Sequence, residues 1–178
     1  MQYTTEKNES AIEWLEALVF ALGFMVILFT FVFRVVAVSG ESMVPTLNHN
    51  DRLVMQSMFY TPGKGDVIVV DGFIAYGDPI VKRVIGTEGD TVNIDFASGT
   101  VTVNGIALDE PYVSAPTNGK GDMSFPLTVP EGMIFVLGDN RPFSLDSRDS
   151  RIGFIDNRDV LGKVLIRIYP FSDFGGVE

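Results

Sequence analysis

The chain has 178 residues and a formal net charge of −10 at pH 7, and 46% of its residues are hydrophobic. This length suits one domain with an appendage. The acidic balance excludes the basic surface that nucleic-acid binding needs, so we expect no nucleic-acid partner. Because the sequence contains no cysteine, disulfides and thiolate metal sites are excluded as well.

With thiolates excluded, a metal would need carboxylate or histidine ligands, and the acidic residues of the sequence do not cluster in a way that is typical of metal ligands. We therefore expect no metal and no cofactor. An acidic domain is also repelled by anionic lipid headgroups. If the protein works at a lipid bilayer, a hydrophobic segment must hold it there.

The N-terminal part of the sequence predicts such a segment. Residues 1–13 are interpreted as a short acidic tail, with Ser10 as a candidate N-cap of the helix that follows. Residues 14–34 contain an uncharged apolar run, Ala17–Phe33, near the lower limit of about 17–25 residues for a membrane-spanning helix. A buried core helix would show a polar stripe, which is absent from this run. A cleaved signal peptide would begin with a basic region, whereas the region before this run is acidic. Residues 14–34 are therefore predicted to be an uncleaved single-pass anchor, whose orientation the flanking charges do not decide.

Residues 35–178 have the pattern of a β-rich domain. Short apolar or alternating runs recur without sustained helical periodicity. Ser98-Gly99 and Asn104-Gly105 predict hairpin turns. Many short strands and 18 glycines indicate a coiled β-sheet or barrel-like domain. The predicted strands are Val35–Val38, Arg52–Met55, Asp66–Val70, Ile80–Ile85, Thr91–Asp95, Thr100–Val103, Met133–Leu137 and Val160–Tyr169.

The stretch Ser39–Leu47 follows the apolar segment and carries a candidate nucleophile. It places Ser42 between an acidic residue and a methionine, just before a Pro-Thr pair. Read alone, the stretch is also consistent with a simple turn after a strand. The single histidine, His49, lies in a polar loop with no evident orienting carboxylate, so a Ser-His-Asp triad is not expected. A serine nucleophile here needs a different base.

Lys82 is the candidate for this base. Its neighbours are apolar and β-forming, and Lys82 and Arg83 fall on opposite faces of a strand. We expect one of them to face solvent and the other to face inward, where burial lowers a lysine pKa from about 10.4. A general base works best when its pKa is near the working pH. The alternative is a lysine that extends to solvent.

Four separated motifs occur in a fixed order. They are Ser39–Leu47, Gly65–Val70, Val81–Gly86 and the polar run Gly138–Arg148, which alone would be interpreted as a solvated loop. Together, and in this order, they resemble the bacterial type I signal peptidases, which are membrane-anchored Ser-Lys proteases. The resemblance extends from the apolar segment to about Tyr169.

The resemblance implies roles for five polar residues. Ser42 would be the nucleophile and Lys82 the general base. Ser144 would hydrogen-bond the Lys82 amine and orient it. Asp146 and Arg148 would form an ion pair that holds their loop against the site. Pro142-Phe143 departs from the family, in which polar residues are more frequent.

The oxyanion donors are less clear from the sequence. The backbone N–H of Ser42 is one expected donor. Some family members supply a serine hydroxyl at the position that Gly40 occupies here, and Ser39 should point to the opposite face. The second donor is left open between a backbone group and water, and Gly40 is kept with Ser42 as a candidate oxyanion residue.

The resemblance also implies the substrate and its location. Signal-peptide-bearing preproteins would be cut after small residues one and three positions before the scissile bond, on the extracytoplasmic side of the cell membrane. An extended peptide would pair with the backbone near Val36 and Val38 by β-addition. The alternative for the pocket residues is that they are simply core. The pocket positions of the family correspond to Val36, Val38, Met43, Leu47, Val69, Ile80 and Val81.

Two other functions are consistent with parts of the sequence. A self-cleaving Ser-Lys protease of the repressor type has a related β core, but it would need a DNA-binding domain and a cleavable linker. An inactive membrane-anchored β domain that binds partners would not need the pairing of Ser42 with Lys82. The sequence favours the peptidase.

Overall fold

The N-terminal apolar run folds as one long helix. In this computed structural model, which describes residues 3–72 and 77–177, helix α1 spans Tyr3–Ile27 and continues as a π-helical turn over Leu28–Val32. The segment Ser10–Val32 is long and apolar enough to cross a membrane, with a mean hydropathy of 2.5. None of its most apolar window is buried against the rest of the protein, which distinguishes it from a core helix. The exposed apolar surface therefore requires a lipid environment or an equivalent cover.

The predicted helix start at Ser10 is wrong, because α1 already begins at Tyr3. Residues 3–13 of the segment predicted as a tail therefore lie within the helix.

All eight predicted strands are present, with ends that shift by two residues at most. They are rich in β-branched and aromatic residues, which fit the pleated and half-buried surface of a sheet. Four strands of two residues each were not predicted, because two residues carry no periodicity: Ile106–Ala107, Leu127–Thr128, Ile155–Asp156 and Gly175–Gly176. The strands are β1 Phe33–Ala37, β2 Arg52–Gln56, β3 Val67–Val70, β4 Ile80–Thr87, β5 Thr91–Asp95, β6 Thr100–Val103, β7 Ile106–Ala107, β8 Leu127–Thr128, β9 Met133–Leu137, β10 Ile155–Asp156, β11 Val160–Tyr169 and β12 Gly175–Gly176.

The strands form two antiparallel sheets. The larger sheet has the order β1-β2-β11-β3-β4-β9-β10, with β12 paired to β11, and it curls into a half-barrel. The smaller sheet has the order β7-β6-β5-β8. The predicted turn at Asn104-Gly105 joins β6 to β7, and both residues have positive φ, as a two-residue hairpin requires. The prediction of a mainly β, coiled-sheet domain after one N-terminal helix is confirmed.

The larger sheet is buried on both faces at its centre. Val67 and Val69 of β3 belong to one apolar cluster, and Ile68 and Val70 belong to another on the opposite face. Because directly paired residues of antiparallel strands share a face, Lys82 lies on the face of its partner Ile68. The strand β1 pairs only with β2, so it forms an edge of the sheet within the described part of the chain.

Gly162 tests the close packing of β11 against β2. A methyl group at this position would lie 2.2 Å from the backbone oxygen of Gln56. We expect Gly162→Ala to lower the free energy of unfolding by about 1–3 kcal/mol or more, since strands this close must move apart. The matched control is Gly175→Ala, which meets no heavy atom within 4 Å. Urea unfolding of both full-length variants in detergent measures the difference, and equal midpoints would contradict this packing.

Candidate active site

The hydroxyl of Ser42 lies beside the amine of Lys82. Ser42 begins the turn after β1, and Lys82 is the third residue of β4. The distance between Lys82 Nζ and Ser42 Oγ is 2.8 Å, and Nζ also donates to the carbonyl of Val81 at 3.1 Å. The two residues, which are 40 positions apart, are thus in hydrogen-bond contact. A proton can pass directly between such a hydroxyl and amine.

The amine of Lys82 is buried, with only 3% of the residue exposed. Burial lowers the pKa of Lys82 from 10.5 to about 8, because a desolvated ammonium is disfavoured. The carboxylates of Asp146 and Asp139 oppose this change, and the guanidinium of Arg148 adds to it. Lys82 is therefore neutral in a sizeable fraction of molecules at mildly alkaline pH.

Arg83, the next residue of β4, is also buried, at 2% exposure. The prediction that one of the two neighbouring cations faces solvent is therefore wrong. Arg83 makes a two-pronged ion pair with Asp139, at 2.9 and 2.7 Å, and the ring of Tyr112 covers its guanidinium at 3.9 Å. Arg83 is thus covered by the loop that carries Tyr112, and the positive charge of Arg83 is matched by the carboxylate of Asp139.

Asp139 connects this ion pair to the turn of residues 40–47 that carries the candidate nucleophile Ser42, here called the nucleophile turn. Its Oδ2 accepts a hydrogen bond from the hydroxyl of Thr46. Met43 and Leu47, on the same turn, are buried in the apolar cluster behind the site. These contacts of Thr46, Met43 and Leu47 hold the C-terminal part of the turn that carries Ser42 against the sheet.

The ion pair between Asp146 and Arg148 is present and buried. The guanidinium contacts the carboxylate at 2.8 and 3.0 Å and also donates to the carbonyls of Gly119, Arg141 and Ser144. Asp146 in turn accepts the backbone N–H of Gly138 at 3.0 Å. The pair therefore joins three backbone segments, and the loss of either partner would leave a buried charge unpaired.

The predicted hydrogen bond from Ser144 to Lys82 is not present. The Ser144 hydroxyl is buried without a hydrogen-bond partner, while Lys82 donates to Ser42 and Val81. The hydroxyl is directed at Gly138, where a methyl group would lie only 2.2 Å from Oγ. In this conformation Ser144 packs beside the site and does not orient the amine.

Gly40 has a left-handed backbone conformation, with φ of +97°. Its N–H, expected near the oxyanion position, donates to Nδ1 of His49 at 3.2 Å. That N–H is therefore occupied. No described residue accepts a hydrogen bond from the N–H of Ser42, which is left available as a donor. The contact between His49 and Gly40 joins two turns and was not predicted, although His49 is exposed as expected.

A cavity of about 320 Å³ opens beside Ser42 and Lys82. It is lined by residues 39–42, by residues 78–80, and by Phe143 and Leu145. Another cavity, of about 640 Å³, contains Arg83 and lies on the opposite face of β4. The larger cavity contains neither Ser42 nor Lys82, so the smaller one is the candidate substrate site.

Of the seven predicted pocket residues, only Ile80 lines this cavity. Strand alternation explains the difference between Ile80 and Val81, because Ile80 shares a face with Lys82 while Val81 points to the opposite face. Met43, Leu47 and Val69 are fully buried, so a substrate cannot reach them in this conformation. The six others pack in or against one apolar cluster: Val36, Val38, Met43, Leu47, Val69 and Val81.

Hydrolysis of an amide by a hydroxyl needs a neighbouring group that removes the hydroxyl proton. The contact between Ser42 and the buried amine meets this requirement. The class that this site and its β-sheet scaffold define is that of the serine-type peptidases.

Comparison with known proteins identifies the family. The model of the family "Signal peptidase, peptidase S26" matches residues 11–169. The chain therefore belongs to the signal peptidase family, and the resemblance seen in the sequence is confirmed.

Two similar proteins illustrate the match. Signal peptidase I of Bacillus licheniformis is 36% identical over 184 aligned residues, which cover 96% of this chain and 95% of the relative. Signal peptidase IB of Staphylococcus aureus is 35% identical over 185 residues, covering 94% of each. Among solved structures, signal peptidase I of Enterococcus faecalis V583 is 36% identical and covers 58% of this chain and 97% of its own, with a TM-score of 0.49.

The lowered pKa of Lys82 predicts a change in stability when the amine is removed. Well below pH 8 the Lys82 amine is protonated in both the folded and the unfolded chain, but the folded chain binds this proton more weakly. This difference lowers the free energy of unfolding by about 3 kcal/mol. This cost disappears as the pH rises from 8 towards 10.5. Lys82→Met should therefore be more stable than wild type at pH 7, and the gain should disappear near pH 10.5.

Urea unfolding of the full chain in detergent at both pH values measures this change. Lys120→Met is the matched control, because Lys120 is exposed. A Lys82→Met protein that is less stable at pH 7 would mean that the amine is needed for folding.

Proposed function

We propose that this chain is a membrane-anchored endopeptidase that removes signal peptides from exported preproteins, with Ser42 as nucleophile and Lys82 as general base. The observation that carries the proposal is the 2.8 Å contact between a serine hydroxyl and a buried lysine amine of lowered pKa. Family membership supports signal-peptide removal as the reaction. No cofactor is part of the proposal.

Acylation begins with the neutral form of Lys82. The Ser42 hydroxyl donates its proton to Nζ while Oγ attacks the carbonyl carbon of the scissile bond, which forms a tetrahedral oxyanion. The protonated Lys82 then gives its proton to the leaving amine as the C–N bond breaks. An ester between the Ser42 oxygen and the signal peptide remains, and the mature protein leaves with a new N-terminus.

Deacylation uses the same lysine a second time. Neutral Lys82 takes a proton from water as the water oxygen attacks the ester carbonyl, and the proton then returns to Ser42 Oγ as the ester bond breaks. Lys82 must therefore both accept and donate protons. Asp139 and Asp146 favour its protonated form and oppose the effect of burial, which suits both halves of the cycle.

The substrate is a peptide in an extended conformation. β1 is an edge strand that leads directly to the nucleophile turn, so its free backbone groups support pairing with an incoming chain. The cavity beside Ser42 has a volume of about 320 Å³, and Ile80 and Leu145 are among its lining residues. In this proposal their aliphatic side chains limit the space for the residue next to the cut, which is consistent with cleavage after small residues at one and three positions before the bond.

The helix α1 is the membrane anchor in this proposal. Its apolar segment ends at Val32, β1 begins at Phe33, and the backbone of Ser57 bonds to the carbonyl of Val32. The catalytic domain is thus attached to the anchor without a flexible linker. We place this domain on the extracytoplasmic side of the cell membrane, where exported preproteins emerge.

The first functional prediction concerns the two reacting groups. Ser42→Ala and Lys82→Ala should each abolish cleavage of a preprotein, because each removes one end of the proton transfer. The activity of His49→Ala should stay within a few-fold of wild type, because His49 is exposed and Lys82 contacts Ser42 directly, at 2.8 Å. Cleavage assays with purified full-length protein in detergent measure these rates. Loss of activity in the histidine variant together with activity in the lysine variant would refute the assignment.

The second functional prediction concerns pH. The rate constant kcat/KM should rise about tenfold per pH unit below pH 8 and become constant above it, as Lys82 loses its proton. The profile should follow the ionisation of one group. A profile that is flat from pH 6 to 10 would show that the base lies elsewhere.

The third functional prediction concerns the cavity. Peptides with Ala or Gly before the cut should be cleaved well, and peptides with Leu or Phe about 5- to 150-fold more slowly, because overpacking costs about 1–3 kcal/mol. Ile80→Ala should reduce this discrimination by enlarging the cavity. The exposed Val35→Ala is the control. Equal discrimination in the Ile80 variant and in wild type would remove Ile80 from the pocket.

A further inference from the structure

Asn140 holds the backbone of the nucleophile turn at two successive residues. Its side-chain Nδ2 donates to the carbonyl oxygen of Glu41 at 2.9 Å, and its backbone N–H donates to the carbonyl oxygen of Ser42 at 3.0 Å. The Glu41 oxygen also accepts the N–H of Val44 at 3.2 Å. Both carbonyls next to the nucleophile are therefore held from one side.

The contact with Glu41 also determines the direction of the Ser42 N–H. These two groups belong to one peptide unit, and this unit is not among the cis peptide bonds of the described residues. In a planar trans peptide the C=O and the N–H point in opposite directions. When Asn140 holds the Glu41 oxygen, the Ser42 N–H points away from Asn140, to a side where no described residue accepts it.

We propose that Asn140 is a positioning residue that fixes the Ser42 N–H as the oxyanion donor, an inference that rests on the proposed function. A donor stabilises the transition state only when it already points at the place where charge develops. A rotated Glu41–Ser42 peptide would present a carbonyl oxygen to the oxyanion instead of an N–H. The hydrogen bond to the carbonyl also polarises the peptide unit, which makes its N–H a stronger donor.

The surroundings explain why this peptide unit needs such a contact. Gly40, one residue earlier, has a positive φ, and residues 39–41 are exposed, so few side chains restrain the chain there. Asn140 itself is well anchored. Its neighbour Asp139 is fully buried in the ion pair with Arg83. The backbone carbonyl of Asn140 accepts the N–H of Phe143 at 3.0 Å.

The test compares Asn140→Ala with Asn118→Ala. Asn118 makes an equivalent bond of 2.9 Å from Nδ2 to the carbonyl of Phe96, beside the smaller sheet. Asn140→Ala keeps the backbone N–H that bonds Ser42. The measurements are kcat and KM for a signal-peptide substrate, and inhibition by a peptide aldehyde of the same sequence, which forms a tetrahedral adduct with the nucleophile.

We expect Asn140→Ala to lower kcat by about ten- to a hundredfold with KM within about threefold, somewhat less than the loss of a whole oxyanion donor. The aldehyde inhibition constant should rise by a similar factor. Asn140→Asp, which replaces the donor with an acceptor of the same size, should lose at least as much. Asn118→Ala should match wild type in both measurements.

Two results would overturn the inference. One is an Asn140→Ala enzyme with the same kcat and aldehyde affinity as Asn118→Ala. The other is a lower kcat with unchanged aldehyde affinity after correction for folded enzyme, since that result indicates a purely structural role. A separate arm with Ser42→Ala tests the underlying function, and cleavage by that variant at the wild-type rate would overturn both proposals.

Discussion

The burial of Lys82 is the constraint on which the rest of the site depends. A lysine amine keeps its proton at neutral pH unless it is removed from water, and removing it from water is unfavourable for the fold. The half-barrel supplies the dry surroundings, and Asp139 and Asp146 limit how far burial lowers the pKa of the amine. Those carboxylates are buried too, and each is paired with its own arginine. Two buried ion pairs thus supply the carboxylates that act on the pKa of this one amine.

These ion pairs also hold the backbone. Arg83 and Asp139 connect β4 to the nucleophile turn through Thr46, while Arg148 gathers the carbonyls of loops that are far apart in sequence. A surface ion pair contributes little to stability, but a buried pair cannot lose one member without a large penalty. The same residues that adjust the lysine pKa therefore keep the loops around it in place.

The sequence predicted the strands and the pairing of Ser42 with Lys82, but not the contacts between loops. Strand periodicity is local, and the order of motifs points to Ser42 and Lys82 through a family resemblance. The burial of Arg83 depends on Asp139 and Tyr112, which no local pattern assigns to it. The bond from Asn140 to Glu41 joins residues 99 positions apart. Asn140 stood within a recognised motif, yet only the folded chain gives it a specific contact.

The direct passage from the apolar helix into β1 has a geometric consequence. Because no loop separates them, the distance between the end of the helix and Ser42 is set by β1 and the turn after it. The five residues of β1 span roughly 17 Å in an extended strand. If the helix anchors the chain in a bilayer, as proposed, a preprotein held there by its own apolar segment would have to present its scissile bond at a matching distance. The length of the spacer between that segment and the cut would then be a condition for cleavage.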